Sequence, residues 1–248
     1  MASIELQGVF RSLRTYYGDD IRDRRMDATY AAFLRPGDLA FDIGSHVGDR
    51  IASFRRLGAR VVALEPQPLP FRAARLIHTR DDGVTLIGQA CGAEAGLLDL
   101  HVNEANPTVS TASPAFINAA DGQDGWREQS WTRKLQVPVT TLDALMADFG
   151  TPDFVKIDVE GFELNVINGL SRPIDALSFE FTTIQRDVAL DCLKALSTLG
   201  PYRFNMILGE SYAWQASEPM SGNEMARKVD ALPHEANSGD IYASLTWS

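Results

Sequence analysis

The chain of 248 residues contains little cysteine and no long apolar run. Its two cysteines, Cys91 and Cys192, are too far apart to indicate a disulfide framework, so we expect a reducing environment. No segment approaches the ~18 consecutive apolar residues that a membrane-spanning helix needs. The opening residues, M-A-S-I-E-L-Q, do not place a cationic region before an apolar core, so no signal peptide is expected. These features predict a soluble, cytoplasmic protein.

Positive charge is also scarce. The sequence has 23 Lys and Arg residues against 33 Asp and Glu residues, which gives a formal net charge of −10. A net negative surface disfavours binding to the phosphates of nucleic acids. Arg22, Arg24 and Arg25 are interleaved with aspartates, a pattern typical of a solvated helix face. We therefore expect no nucleic-acid partner and no membrane span.

Apolar, strand-like runs alternate with helical stretches from residue 36 onward, which is the pattern of a parallel sheet covered by helices. Residues 1–35 are predicted to form an N-terminal helical extension, and residues 36–248 a single α/β domain. The predicted strands are 39–43, 60–64, 84–88, 153–158 and 176–182, and 203–208 and 241–246 are expected to finish the sheet as a hairpin-like pair. The predicted helices lie near 47–57, 68–78, 141–148, 161–168 and 186–199.

The alternation is interrupted between residues 92 and 140. Apolar residues alternate with polar ones around Leu100 and again around Val137, which predicts an added antiparallel pair of strands. The loop between them, about residues 103–135, contains Trp126 and Trp131. A loop of this length is usually functional or irregular. It could be a lid or substrate wall, or a surface excursion pinned by the two tryptophans.

The segment D-I-G-S-H-V-G-D, residues 42–49, follows a buried strand and opens a helix. Gly44 and Gly48 have no Cβ, so the backbone can bend sharply and allow a ligand to approach closely. Glu65 ends the next apolar strand at about the 20-residue spacing at which an acid binds ribose hydroxyls. The turn and the acid together indicate a cofactor that contains adenosine.

The glycine spacing indicates which cofactor. A dinucleotide turn needs G-x-G-x-x-G, whereas here Ser45 and His46 stand where the middle glycine would be, and the triphosphate motif is absent as well. Asp42 at the end of the strand would repel a phosphate but attract an ammonium group. S-adenosylmethionine has an ammonium group and a ribose but no phosphate, so it fits this turn best.

A second group of acids lies in F-V-K-I-D-V-E-G-F-E, residues 154–163. Asp158 is expected at the carboxyl end of its strand, bordering the same crevice as Asp42 and Glu65. The alternative is a structural ion pair between Lys156 and Asp158 or Glu160, with Glu160 stabilising the start of the next helix.

Glu180 is an acid between two phenylalanines at the end of the following strand. Burial near the crevice would raise its pKa and suit a proton acceptor, but an arginine such as Arg186 could equally neutralise it. The sequence leaves both interpretations open.

With these residues identified, the chain resembles S-adenosylmethionine-dependent methyltransferases of the FkbM type. The segments that carry the resemblance occur in the family's order: F-D-I-G-S-H-V-G-D (41–49), A-L-E-P-Q-P (63–68), V-P-V-T-T-L-D (137–143), F-V-K-I-D-V-E-G-F-E (154–163), S-F-E-F-T-T (178–183) and A-N-S-G-D-I-Y-A (236–243). The resemblance implies a Rossmann-like class I methyltransferase fold, with helices on both faces of a seven-stranded mixed sheet of order 3-2-1-4-5-7-6 whose last strand is antiparallel. It also implies methyl transfer, usually to oxygen.

Roles for individual residues follow from the resemblance. Gly44 and Gly48, with Ser45 and His46 between them, would approach the methionine part of the cofactor, and Asp42 would lie near its ammonium group. Glu65, followed by Pro66, would bind the ribose, and Asp158 would line the methyl-donor pocket. The Asp that many related folds place after the third strand is missing, so Gln89 and Ala90 are the candidates for contacting the adenine.

Methyl transfer to a hydroxyl requires a base, for which Asp158, Glu160, Glu180 and His46 are the candidates. Asp158 and Glu160 could also offer oxygens to a hard cation, but no further acid is spaced to complete a recognisable site, so no metal is predicted. The resemblance to the family implies a glycan or a secondary metabolite as the acceptor. The alternatives are an inactive module that senses the cofactor or binds a partner, and a nicotinamide oxidoreductase, which the glycine spacing disfavours. The sequence does not indicate the oligomeric state.

Overall fold

The computed structural model describes residues 3–247, and its central element is a seven-stranded mixed sheet. In chain order the strands are β1 Leu39–Ile43, β2 Arg60–Leu64, β3 Val84–Ile87, β4 Ala90–Cys91, β5 Gly96–Val102, β6 Arg133–Thr140, β7 Phe154–Ile157, β8 Ala176–Thr182, β9 Arg203–Leu208 and β10 Ser238–Ser244. The large sheet has the order β3-β2-β1-β7-β8-β10-β9, and β10 runs antiparallel to both of its neighbours. The expected strand order and the expected antiparallel last strand are therefore confirmed.

The described residues contain nine α-helices, of which α1 and α2 precede the first strand and the others lie between strands. They are α1 Ile4–Tyr16, α2 Asp20–Tyr30, α3 Asp49–Arg56, α4 Pro68–Ile77, α5 Pro114–Ala120, α6 Leu142–Phe149, α7 Glu163–Ile167, α8 Arg186–Leu199 and α9 Gly222–Asp230. The sequence interpretation did not include α5 or α9. Within residues 3–247, no helix is both long and apolar enough to cross a bilayer.

Two predicted element boundaries differ from the structure for an identifiable reason. The strand expected at 153–158 ends at Ile157, and the helix expected from residue 161 begins only at Glu163. Between them Glu160 and Gly161 have φ values of +54° and +83°. Left-handed backbone cannot continue a strand or begin an α-helix, so the chain turns sharply here.

Helices cover both faces of the sheet. On one face α2 and α3 pack over an aromatic cluster in which Tyr30 contacts Phe54 and Phe154, with ring centroids 4.8 and 5.5 Å apart. On the other face α6, α7, α8 and α9 bury a larger aliphatic core. Strands β1 and β7 are buried along their whole length, as expected for central parallel strands covered on both sides.

The inserted region forms a second sheet of order β4-β6-β5. Strands β5 and β6 are antiparallel, with Leu98 opposite Val137, as the alternating pattern predicted. Between them Trp126 packs edge-on against Phe116 at 5.2 Å, and Trp131 Nε1 donates to the carbonyl of Val109 at 2.7 Å. Both tryptophans thus anchor the insertion.

The N-terminal helices pack beside the turn that follows β1. Asp19 caps α2 by accepting from the backbone N–H groups of Ile21 and Arg22. The Tyr17 hydroxyl, just after α1, donates to the carbonyl of Val47 at 3.0 Å. Residues 1, 2 and 248, which belong to the predicted extension and domain, lie outside the described residues.

Candidate active site

The carboxyl ends of β1, β2 and β7 meet at one edge of the large sheet. The N–H groups of Gly44 and Ser45 both donate to the carbonyl of Leu64, at 3.0 and 2.9 Å, and the N–H of Asp158 donates to Ile43 at 2.9 Å. These hydrogen bonds hold the residues after each strand close together. A cavity of about 280 Å³ opens at this edge, where open parallel sheets bind ligands.

The cavity brings together the residues that the sequence analysis proposed for the site. All of them except Gly48 line it: Asp42, Gly44, Ser45 and His46 after β1, Glu65 and Pro66 after β2, Gln89 and Ala90 after β3, Asp158 and Glu160 after β7, and Glu180 on β8.

Gly44 and Gly48 both have a φ of +87°, which L side chains rarely adopt. A Cβ on Gly44 would lie 1.9 Å from the carbonyl oxygen of Asp158, so glycine allows the two strand ends to approach. A Cβ on Gly48 would instead meet His78 Nε2 at 2.9 Å. Gly48 therefore supports the start of α3 from outside the cavity lining.

Glu65 is fixed by the backbone around it. One carboxylate oxygen accepts from His46 N at 2.9 Å and the other from Gln67 N at 2.7 Å, and the residue is 3% exposed. Burial raises the pKa of Glu65 to about 7, although these hydrogen bonds oppose the shift. Glu65 is thus a positioned acceptor that gains or loses its proton around pH 7.

Asp42 is more deeply buried and less well satisfied. It is 1% exposed, and its Oδ2 has no hydrogen-bond partner among residues 3–247. Burial and the nearby Asp49 raise the pKa of Asp42 to about 7, while Lys156 and Arg50 act in the opposite direction. A buried carboxylate oxygen without a donor suits a ligand that brings an ammonium group.

His46 has a φ of +49°, and its ring lies edge-on to Tyr16 with centroids 6.1 Å apart. Neither ring nitrogen has a hydrogen-bond partner in the described part of the chain. Burial lowers the pKa of His46 to about 4, which makes the ring a weak proton acceptor. The arrangement therefore favours a role for His46 in shaping the turn over a role as the base.

Asp158, Glu160 and Glu180 converge at the floor of the cavity, with carboxylate oxygens within 4.8 Å of one another. Lys156, which is 1% exposed, pairs with Asp158 at 3.1 Å and with Asp240 at 2.9 Å. The ion pair considered from the sequence therefore exists, and Asp158 lines the cavity as well. Burial alone would raise the pKa of Asp158, but Lys156 reverses this effect and lowers it.

The two glutamates of this cluster have a different environment. Burial, reinforced by the charge of Asp158, raises the pKa of Glu160 and of Glu180 well above the usual range. Arg186 does not neutralise Glu180, because its guanidinium donates to the carbonyl of Leu232 at 2.7 Å. Glu163, the first residue of α7, accepts from the N–H groups of Val159 and Gly161 and so fixes the turn that leads into the helix, whereas the Glu160 carboxylate makes no hydrogen bond to this helix.

A buried charge network at the cavity rim was missed by the sequence analysis. Arg50 pairs with Asp49 at 2.6 Å and with Glu210 at 2.9 Å, and Arg22 reaches Asp49 at 2.7 Å. The prediction of a fully solvated face is therefore wrong at Arg22, whose side chain is only 11% exposed. Asp49 belongs to the glycine-containing segment 42–49, so the sequence offers it as a candidate site residue. Arg50 and Glu210 are far apart in sequence and meet only in the folded chain.

The inserted region forms one wall of the cavity. Leu98, Leu100 and Ser110 line it, and the Thr111 hydroxyl donates to the carbonyl of Glu160 at 2.6 Å. The insertion therefore both holds the acid-bearing turn and encloses the site.

The sheet order, the antiparallel β10 and the strand-end acids around one cavity define a class I methyltransferase fold. The sequence matches the family model described as the methyltransferase FkbM domain over residues 42–226, which is most of the chain. The chain belongs to this family. It is accordingly a methyltransferase that depends on S-adenosylmethionine, and the orphaned Oδ2 of Asp42 and the anchored carboxylate of Glu65 fit the ammonium and ribose of that cofactor.

Several solved structures are similar to this chain at low sequence identity. A precorrin-6Y C5,15-methyltransferase from Geobacter metallireducens GS-15 has 13% identity and a TM-score of 0.49, over 93% of this chain and 89% of that one. An O-methyltransferase from Bacillus cereus in complex with SAH has 11% identity and a TM-score of 0.46, and the match covers 99% of this chain and 92% of that one. No curated protein gives a significant match.

Proposed function

We propose that this enzyme transfers the methyl group of S-adenosylmethionine to a hydroxyl oxygen of a glycan or a small metabolite. The observation that carries the proposal is the group of acids Asp158, Glu160 and Glu180 at the floor of the cavity. A hydroxyl must lose its proton as the new bond forms, so it needs a proton acceptor beside it. Glu160 and Glu180 supply carboxylates that no cationic side chain neutralises within residues 3–247.

In the proposed complex the cofactor lies across the ends of β1, β2 and β7. Glu65 accepts hydrogen bonds from the ribose hydroxyls, and Asp42 accepts from the ammonium group. The turn of Gly44, Ser45 and His46 follows the methionine part, with Gly48 supporting it from behind. Asp158 lies beside the methyl donor, and Pro66, Gln89 and Ala90 border the adenine.

The reaction needs alignment and the removal of one proton. The oxygen lone pair forms the new O–C bond while the C–S bond breaks and leaves its electron pair on sulfur, which gives S-adenosylhomocysteine and a methyl ether. The hydroxyl proton passes to Glu160 or Glu180 in its ionised form, whose raised pKa makes it the stronger base. Holding acceptor, methyl and sulfur in line accounts for much of the rate enhancement, because the reacting groups are already oriented.

We also propose that residues 36–248 form the methyltransferase domain and that the extension before it closes one side of the site. Tyr16 at the end of α1 lines the cavity, and Tyr17 donates to the turn at Val47. The insertion between β5 and β6 supplies the opposite wall.

The test is a methyl-transfer assay with S-adenosylmethionine that carries an isotopically labelled methyl group. Glycans and metabolites from the native host are the acceptors, and mass spectrometry and NMR identify the product. We expect a labelled methyl ether and an equal amount of S-adenosylhomocysteine. A product methylated on nitrogen, sulfur or carbon would contradict the proposal. Cofactor binding without turnover on any acceptor would instead support a cofactor-sensing module.

A further inference from the structure

Asp158, Glu160 and Glu180 reach the cavity floor from three different parts of the chain. Asp158 follows the central strand β7, Glu160 lies in the left-handed turn after it, and Glu180 is on the neighbouring strand β8. One oxygen from each lies within 4.8 Å of the others. Because β7 and β8 pair in register, rigid sheet backbone positions two of the three acids.

The two glutamates lack the partners that other buried acids of this region possess. Glu65 and Glu163 each accept two backbone N–H groups. Glu160 is 8% exposed, yet none of residues 3–247 donates a hydrogen bond to its carboxylate. Glu180 Oε2 is likewise buried and unpartnered in the described structure. A buried polar atom such as Glu180 Oε2 is rarely left in this state, so this oxygen, beside the unpartnered side chain of Glu160, indicates a ligand that binds between the two glutamates.

The local balance of charge indicates the sign of that ligand. Lys156 is the buried cation nearest to the cluster, and its ammonium group is already shared between Asp158 and Asp240. Glu180 lies within hydrogen-bond reach of Asp158, a second carboxylate, and forms no ion pair with a cationic side chain in the described part of the chain. Acids packed this closely in a partly buried site favour sharing a proton or binding a cation, because like charges at short range repel each other.

We propose that Asp158, Glu160 and Glu180 bind a hard divalent cation of the Mg²⁺, Mn²⁺ or Ca²⁺ type. The three donors are all carboxylate oxygens, which are the ligands that such ions prefer. Ca²⁺ takes oxygens at about 2.3–2.6 Å and Mg²⁺ at about 2.0–2.1 Å, so binding of either ion draws the three carboxylates together around it. Water and an acceptor oxygen complete the coordination.

The role of the ion rests on the proposed function, but the site itself does not. A cation here would bind the oxygen of the acceptor hydroxyl and lower its pKa, which helps the proton to leave. Each carboxylate has two oxygens, so a glutamate that gives one oxygen to the ion keeps the other to receive the proton.

The experiment is a titration of the ligand-free, metal-stripped full chain with Mn²⁺ at pH 8, in which electron paramagnetic resonance measures free Mn²⁺. We expect one saturable site per chain. Glu160→Gln and Glu180→Gln should each weaken Mn²⁺ binding at least about tenfold, as expected for loss of one charged ligand. The control Glu94→Gln removes an exposed carboxylate that does not line the cavity and should leave the affinity unchanged. Mg²⁺ or Ca²⁺ should displace the Mn²⁺.

Absence of a saturable site in the native chain would overturn the proposal and indicate that the acids share protons instead. Mn²⁺ affinity that survives both glutamate substitutions would overturn it as well, because the ion would then lie elsewhere. Binding of S-adenosylhomocysteine by each variant checks that the fold is retained. Mn²⁺ binding requires no acceptor, so this result is independent of whether a methyl ether is formed.

Discussion

Glu65 and Asp42 are both buried carboxylates, but they differ in how many of their oxygens have partners. Both oxygens of Glu65 accept backbone N–H groups, whereas Asp42 Oδ2 accepts from no residue in the described chain. Glu65 therefore has a fixed position before the cofactor binds, and Asp42 retains an acceptor for a charged donor. Removing either carboxylate should weaken cofactor binding, whereas removing an exposed acid outside the cavity should leave it unchanged.

Glu65→Gln should weaken the binding of S-adenosylhomocysteine by about 10- to 100-fold. A hydrogen bond to a charged group contributes about 1.5–3 kcal/mol. The two oxygens of the Glu65 carboxylate each accept a backbone N–H, but a glutamine amide has only one oxygen and can replace only one of these acceptors. Isothermal titration calorimetry measures the change, with Glu94→Gln as the control. An affinity within twofold of the native value would show that Glu65 does not hold the ribose.

Cofactor affinity should also depend on pH in a definite direction. Burial raises the pKa of Asp42 and of Glu65 to about 7, so both acids gain protons as the pH falls from 8 to 6. A protonated acid loses the charge that attracts an ammonium group and one of its acceptor sites. We expect S-adenosylhomocysteine to bind more weakly at pH 6 than at pH 8.

Calorimetry at pH 6, 7 and 8 tests this prediction. Glu65→Gln should show a smaller loss of affinity than the native chain, because of the two acids proposed to bind the cofactor only Asp42 then titrates in this range. Equal native affinities at all three values would contradict the proposed roles of both acids.

At the scale of elements, the junction between β1 and β7 depends on the absence of a side chain at Gly44. Gly44→Ala places a Cβ 1.9 Å from the carbonyl oxygen of Asp158. Gly37 has a similar φ, +96° against +87°, but a Cβ there meets nothing within 4 Å. Gly37→Ala therefore introduces only the backbone strain, about 1–2 kcal/mol.

Gly44→Ala should lower the free energy of unfolding by about 1–3 kcal/mol more than Gly37→Ala, which is the usual cost of overpacking. Urea denaturation of the two variants measures the difference. Equal losses of stability would show that the two strand ends are not held in the close contact described here.

The sequence was sufficient to predict the elements that carry strong periodic patterns. The strand order, the position of Glu65 after β2 and the pairing of β5 with β6 followed from apolar runs and from family motifs. Helix α9 was missed even though Ser221 and Glu224 form a capping box, which is a readable signal. Helix α5 is too short for its apolar pattern to stand out.

The arrangement of the acids was harder to predict. Asp158 was expected at the end of its strand, but the strand ends one residue before it, and Glu160 adopts a left-handed conformation that no pattern in the sequence indicates. That Glu180 lies beside Asp158 depends on the pairing of β7 with β8, and the bond from Arg50 to Glu210 joins residues distant in sequence. Contacts of this kind arise only from the tertiary fold.

At the scale of the whole molecule, three separate parts of the chain surround one edge of the sheet. The strand ends supply the acids, the insertion supplies a wall through Ser110 and its neighbours, and the N-terminal helices reach the rim through Tyr16 and Arg22. We expect the bound cofactor to leave the part of the cavity beside Asp158, Glu160 and Glu180 free for the acceptor.

The most direct test is a crystal structure of the chain with S-adenosylhomocysteine. The ribose hydroxyls should lie within hydrogen-bond distance of Glu65, the ammonium group should contact Asp42, and the sulfur should point toward the floor formed by Asp158, Glu160 and Glu180. A nucleoside bound away from these strand ends, or one whose sulfur faces away from the three acids, would contradict the account.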